Sequence, residues 1–307
     1  ISWLPPSGFS RGLSSISDFF TIFLPTNIGL APFSSYYRDN TKFSLWNYGT
    51  QLDIGFVSFL SLGFFWSRSI IENSNDSKSF TQFRGTASIL FSKYFSLSGS
   101  YGKIKILYEP DKFNGIFTLR YEKPEELSLT LSYENNDARL LFYSPNIIYS
   151  RLRTDFFRFN GYYIYSNNFK ISSYYNYFSL EDGNEGNDFQ FRMGKKFLQN
   201  GFMGYEYFYS DFAFTTYFYY SPNNFQSHSI WAEWNYLYKP NLKFKLNGKV
   251  GYVPSVDYVI NELNAEITYK PILDLILTGR ISYSNSYRFD SSYNNLSFSL
   301  FAYWSLF

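Results

Sequence analysis

A period of two runs through this chain. In Leu242 to Tyr252, Leu242, Phe244, Leu246, Val250 and Tyr252 take one set of alternate positions, and Lys243, Lys245, Asn247 and Lys249 take the other. Leu273 to Tyr283 sets Leu273, Leu275, Leu277, Ile281 and Tyr283 against Asp274, Thr278, Arg280 and Ser282. Val259 to Tyr269 sets Val259, Leu263, Ala265, Ile267 and Tyr269 against Glu262, Asn264, Glu266 and Thr268. Successive side chains of a strand point to opposite faces, so each segment predicts a strand with one apolar and one polar face. The end of the chain does the same: Leu296, Phe298, Leu300, Ala302, Trp304 and Leu306 share one side, leaving Phe301, Tyr303 and Phe307 with the serines. Either a bulge shifts the register there, or the terminal aromatic signal that assembly reads takes a variant form here.

Two solvents fit that pattern, a protein core or a membrane. Aromatics make up 24% of 307 residues, with 36 Phe and 31 Tyr, yet the mean hydropathy is only −0.26. No run reaches the roughly 18–20 apolar residues that a membrane helix needs. The richest, Phe56 to Trp66, is interrupted by Ser58, Ser61 and Gly63. A transmembrane β-barrel reconciles many rings with low hydropathy, because lipid-facing residues alternate with polar lumen residues. A soluble sandwich also alternates, but this many strands would require two domains, and no boundary marks them after residue 27. There is no Cys, one His (His228) and a net charge of +2, which removes thiol chemistry, most zinc sites and a nucleic-acid partner.

Turn signals divide the chain into strands. Tight turns are expected near Val57-Ser58, Lys93-Tyr94, Lys123 to Glu126, Asn167-Asn168, Leu198 to Gly201, Lys239 to Asn241 and Lys270-Pro271. Longer connections are expected over Arg38–Lys42, Ile71–Ser79, Glu109–Lys112, Asn135–Ser150, Leu180–Asp188, Ser221–Asn224, Pro254–Asp257 and Asn285–Tyr293. The count is about 16 strands from residue 28 to residue 307, all-β, in an antiparallel up-and-down barrel of the bacterial outer membrane. An even number returns both ends to the periplasmic side. Residues 1–27 are left as an N-terminal linker or plug segment, or an added strand. The chain opens on Ile1 without the charged and apolar regions of a secretory signal, so one is expected to have been removed.

Two segments echo each other: Leu141-Phe142-Tyr143-Ser144-Pro145-Asn146 and Phe218-Tyr219-Tyr220-Ser221-Pro222-Asn223. Turn chemistry after an aromatic strand yields such a motif by itself. The second copy, followed by Trp231, Glu233 and Trp234, resembles the C-terminal porin domains of exopolysaccharide exporters for cellulose, poly-N-acetylglucosamine and Pel polysaccharide. The likeness covers mainly residues 140–240, with the overall length and strand count. It implies a 16-stranded barrel preceded by a periplasmic tetratricopeptide superhelix, and no such repeat occurs in this chain.

Alternation assigns Asp53, Arg84, Arg120, Glu122, Arg158, Lys170, Arg192, Glu206, Glu233, Lys243, Lys245, Lys249, Glu262, Glu266, Asp274 and Arg280 to the lumen. A charge facing lipid at midplane depth costs about 2–4 kcal/mol, which forces it inward. Such residues serve as selectivity rings or as cross-strand pairs that stiffen the wall. Trp231 and Tyr174 are inward rings able to stack on sugar faces. Ser227 and Ser229 flank His228 but point to the other face, so no nucleophile–base pair arises locally, and neither an enzyme nor a cofactor is expected. The expected function is a channel for a hydrophilic substrate, foremost an exopolysaccharide. A general or solute-specific porin and a structural or adhesive barrel with a closed lumen are the alternatives. Expected partners are outer-membrane lipid and lipopolysaccharide, the polysaccharide or small hydrophilic solute, and a periplasmic helical-repeat scaffold or inner-membrane synthase complex.

Overall fold

The computed structural model describes residues 28–57, 59–124, 126–166, 168–288 and 291–306. Sixteen strands follow one another. The first five are β1 (Ile28–Asp39), β2 (Ser44–Val57), β3 (Leu60–Glu72), β4 (Ser77–Ser92) and β5 (Phe95–Ile106). Then come β6 (Lys112–Lys123), β7 (Leu127–Asp137), β8 (Arg153–Tyr165), β9 (Phe169–Leu180) and β10 (Glu185–Leu198). The last six are β11 (Gly201–Phe212), β12 (Phe225–Lys239), β13 (Leu242–Val253), β14 (Tyr258–Ile272), β15 (Leu275–Arg288) and β16 (Ser291–Ser305). Each pairs antiparallel with its sequence neighbours, and β1 pairs with β16 to close the barrel. Closure leaves no strand edge, which the hydrocarbon of a bilayer would penalise.

The two faces follow from register. Leu246, Ala265, Ile281, Phe298 and Tyr36 lie in one outward row across five strands. One residue along, Lys245, Glu266, Arg280, Ser299, Ser35 and Asn47 form an inward row. Aromatic clusters mark both ends of the outer wall: Trp46 beside Tyr48 where β2 begins, and Trp234 stacked on Tyr236 near the end of β12. Tyr and Trp suit that depth because the ring is apolar and its edge can bond to water.

The short turns and both barrel ends lie on one side, which in this architecture is the periplasm. Among the described residues, the strands break at the expected connections, with shifted bounds. The β14–β15 turn sits at Leu273-Asp274 rather than Lys270-Pro271, because Lys270 still donates its backbone N–H to Asn241 (2.8 Å) and the pairing shifts only beyond Tyr269. The β11–β12 connection spans residues 213–224, three times the expected length, while β15 and β16 extend into what was expected to be loop. No bulge reorients the end of β16: its pairing with β1 and β15 keeps one register from Ser305 to Asn295. Phe301 and Tyr303 therefore face inward, packed with Ala31, Phe33 and Phe65. Residues 1–27 and Phe307, on which the linker and terminal-residue expectations fall, lie outside the described residues.

Candidate functional site

Two extracellular connections turn into the barrel instead of out to solvent. The β7–β8 loop (residues 138–152) carries single turns at Ala138–Leu140 and Ile147–Tyr149, and the β11–β12 loop meets it there. Phe142, Tyr143, Ile147, Ile148 and Tyr219 are buried against inward side chains of distant strands, among them Tyr37, Leu45, Ile71, Phe80, Ile104, Phe156 and Phe178. Phe142 lies 5.3 Å from the Phe178 ring and 4.9 Å from that of Tyr219, and Tyr143 reaches Tyr37 at 4.8 Å. Burying each such side chain contributes about 1.5–3 kcal/mol, which makes the apolar run Leu140 to Ile148 fold inward. Burial pushes the Tyr143 phenol well above its ordinary pKa. Asn146 Nδ2 donates to the Tyr217 carbonyl (3.2 Å) and Asn73 Nδ2 to that of Pro145 (2.7 Å), tying the loops together.

A charged cluster holds the root of the first loop. Arg139 is 0% exposed and donates from Nε to Asp137 (2.8 Å), and from Nη1 and Nη2 to the two Glu109 oxygens (2.9 and 2.7 Å). Lys78 adds a bond to Glu109, and Lys112 one to Asp137 (2.7 Å). The hydrogen bond from Arg139 is the main reason the Glu109 carboxyl is drawn down to about 2. Asp137 also accepts from the Arg139 backbone N–H, capping the first turn.

Below the loops the interior is polar. A cavity of about 400 Å³ is lined by residues of β6 to β10 and β12 to β15, so it spans the lumen. A smaller space of about 80 Å³ lies against the loops and is lined by Arg84, Gln82, Glu134 and Asn47. Arg158 borders both and lies 4.5 Å over the Phe156 ring, as Arg84 lies 4.1 Å over Phe65. Most predicted charges are paired: Arg120 with Glu122 two residues along β6, and across strands Lys170 with Glu233 and Arg192 with Glu206. Arg280 Nε bonds Glu266 (2.9 Å), while Lys249 Nζ lies 2.7 Å from Glu206 and 3.3 Å from Glu262. Lys245 flanks Glu266 in the inward row. Lys243 is exposed near the periplasmic mouth, and Asp274 is exposed in the β14–β15 turn, outside any strand.

Trp231 faces inward but is 1% exposed. Its ring covers Gly194, where a Cβ would come within 2.6 Å of it, its Nε1 donates to the Tyr205 carbonyl (3.0 Å), and Arg192 lies 5.6 Å from the ring. That ring is wall rather than a platform for a sugar, and Tyr174 is similarly buried. His228 lies on the outer wall with Nδ1 2.5 Å from Tyr205 Oη, while Ser227 and Ser229 are buried on the inner face. The lumen candidates drawn from the sequence omit Gln190, which donates to Glu206 (2.9 Å), Asn264, placed on the polar face but given no role, which donates to Glu262 (2.7 Å), and Arg139. Gln190 and Asn264 are uncharged, and Arg139 stands in a loop, where alternation has no purchase.

No family model and no curated protein matches the chain. Solved structures do. A bacterial polysaccharide outer membrane secretin superposes with a TM-score of 0.72 at 8% identity, covering 92% of this chain and all of the other. OprD from Pseudomonas aeruginosa gives 0.48 at 11% identity, covering 92% and 95%. At such identities the likeness is one of fold. The closed antiparallel wall, the aromatic clusters at its two ends and the polar lumen make this chain a 16-stranded β-barrel of the bacterial outer membrane, with the fold of a polysaccharide secretin.

Proposed function

We propose that the barrel is an export pore for a hydrophilic polymer, an exopolysaccharide, held shut at its outer mouth when idle. The observation that carries this reading is the pairing of a polar lumen, holding a cavity of about 400 Å³, with apolar loops folded over its extracellular end. A diffusion porin works through a standing opening, whereas a polymer pore that stayed open would leak solutes between rounds of synthesis. Paired charges along the wall offer a chain many weak contacts and no deep trap, which conduction requires. The secretin-like fold supports the same reading. Force on the polymer would come from its synthesis on the inner side.

Deleting the gene should abolish surface or secreted carbohydrate while uptake of small solutes is unchanged, and re-expression should restore it. Unchanged carbohydrate with impaired solute uptake would favour a porin. Unchanged carbohydrate together with no ion current in planar bilayers, even after the loops are displaced, would leave a structural barrel.

A further inference from the structure

The chain as a whole carries a net charge of only +2. Its charge is unevenly placed. Among the described residues, six that line the larger cavity are basic (Arg120, Arg158, Lys170, Arg192, Lys245 and Arg280), and two are acidic (Glu233 and Glu266). Several acids are drawn back into the wall, while Glu122, the partner of Arg120, keeps 24% of its side chain exposed. Glu206 is 0% exposed, held between Arg192 and Lys249, and Glu262 lies behind Lys249. Asp53 is buried and accepts from Gln51 (2.9 Å). Towards the periplasm the excess continues: Lys196 stands inward opposite Phe202, and Lys243 stands inward between Leu237 and Thr268. Neither stands directly opposite an acid, and Lys243 lies close enough to Glu266 to act on it.

A space walled by low-dielectric protein concentrates the field of such an excess. Its volume falls within the range of about 300–1,000 Å³ typical of small-molecule sites. We propose that the lumen selects an anionic glycan, one bearing carboxylate, sulfate or phosphate on its sugars, over neutral or cationic ones. Ion pairs along the wall serve this selection. Arg120, Lys170, Arg192 and Arg280 each pair with an acid, and Lys245 stands beside Glu266 on the side away from Arg280, so the basic heads are spaced along the wall rather than clustered. A passing anion exchanges one partner for the next without meeting a bare charge. The inference rests on the export-pore reading and adds the sign of the cargo.

The test is calorimetric binding to the full chain in detergent, using equal-length oligomers of galacturonate, sulfated heparin, cellulose and chitosan. The two anionic oligomers should bind, and more weakly as salt rises. Lys245→Glu should weaken them roughly tenfold, on the scale of one hydrogen bond to a charged group, and Asn247→Lys should tighten them. If one variant fails to fold, seen as loss of the compact band on unheated gels, the other carries the test. Equal or tighter binding of the cellulose or chitosan oligomer, or indifference to both variants, overturns the inference. In that case, ion current through a loop-displaced barrel leaves the export reading standing. Absence of both current and binding overturns the two together.

Discussion

Arg139 is out of solvent, and its guanidinium is shared between Asp137 and Glu109. Burying a charge is tolerated when hydrogen bonds replace water on every side, and removing one partner then exposes the cost, about 3–5 kcal/mol. The barrel wall has its own ladders, so in Arg139→Ala that cost should fall on the loop: the loop leaves the lumen while the barrel stays folded. The expected outcome is a rise in single-channel current with an unchanged heat-modifiable band. A variant as silent as the parent would show that the ion cluster does not hold the loop. The same cluster predicts a pH response. Glu109, faced by Arg139 and Lys78, has a carboxyl depressed from 4.5 to about 2. A depressed carboxylate stabilises the folded loop fully above its ordinary pKa and loses that contribution as pH falls towards its folded value. Current should thus stay low from neutral pH to about 5 and rise below about 4 as Glu109 protonates. Glu109→Gln, which cannot titrate, should be leaky at neutral pH and flat across that range.

At the scale of elements, legibility depended on whether a rule of period two applied. The strands β13, β14 and β16 were readable because Leu, Ile and Phe alternate with Lys, Glu and Ser over most of their length. Charged lumen residues were readable for the same reason, since lipid excludes them from the other face. Turn bounds were blurred where Pro271 stands inside a strand end, within the shift in pairing. The loops were hidden because their fold is decided by contacts with side chains far along the chain on other strands, such as Tyr37 and Phe178. Their only trace was the repeated Tyr-Ser-Pro-Asn, read as turn chemistry, which in fact marks both segments that fold inward. Glycines at Gly194 and Gly204 belong to this scale too. A Cβ on Gly204 would lie 1.9 Å from the Met193 carbonyl oxygen, and one on Gly194 would strike Trp231. Gly204→Val should therefore spread β10 from β11 and reduce the yield of folded barrel, read from the heat-modifiable band. Gly85, whose Cβ would meet nothing, is the control: Gly85→Ala should fold like the parent.

For the whole molecule, the apolar loops cover the polar cavity on its extracellular side. Access to the lumen should then depend on the side from which it is approached. The chain has no Cys, so a single introduced thiol reports without background. Asn247 lies on the wall of the larger cavity, beneath the loops, and Asn247→Cys places a thiol there without removing a paired charge. A bulky maleimide that does not cross membranes should label it readily from the periplasmic side, in permeabilised cells or right-side-exposed vesicles, and barely in intact cells. Combining Asn247→Cys with Arg139→Ala should abolish that difference, because the loop no longer covers the outer mouth. Both changes leave β13 pairing intact, so altered labelling cannot be assigned to a lost strand. Equal labelling from both sides in the single variant would mean that the loops do not close the channel. The idle-state closure on which the export reading depends would then fall with them, while the barrel itself would stand.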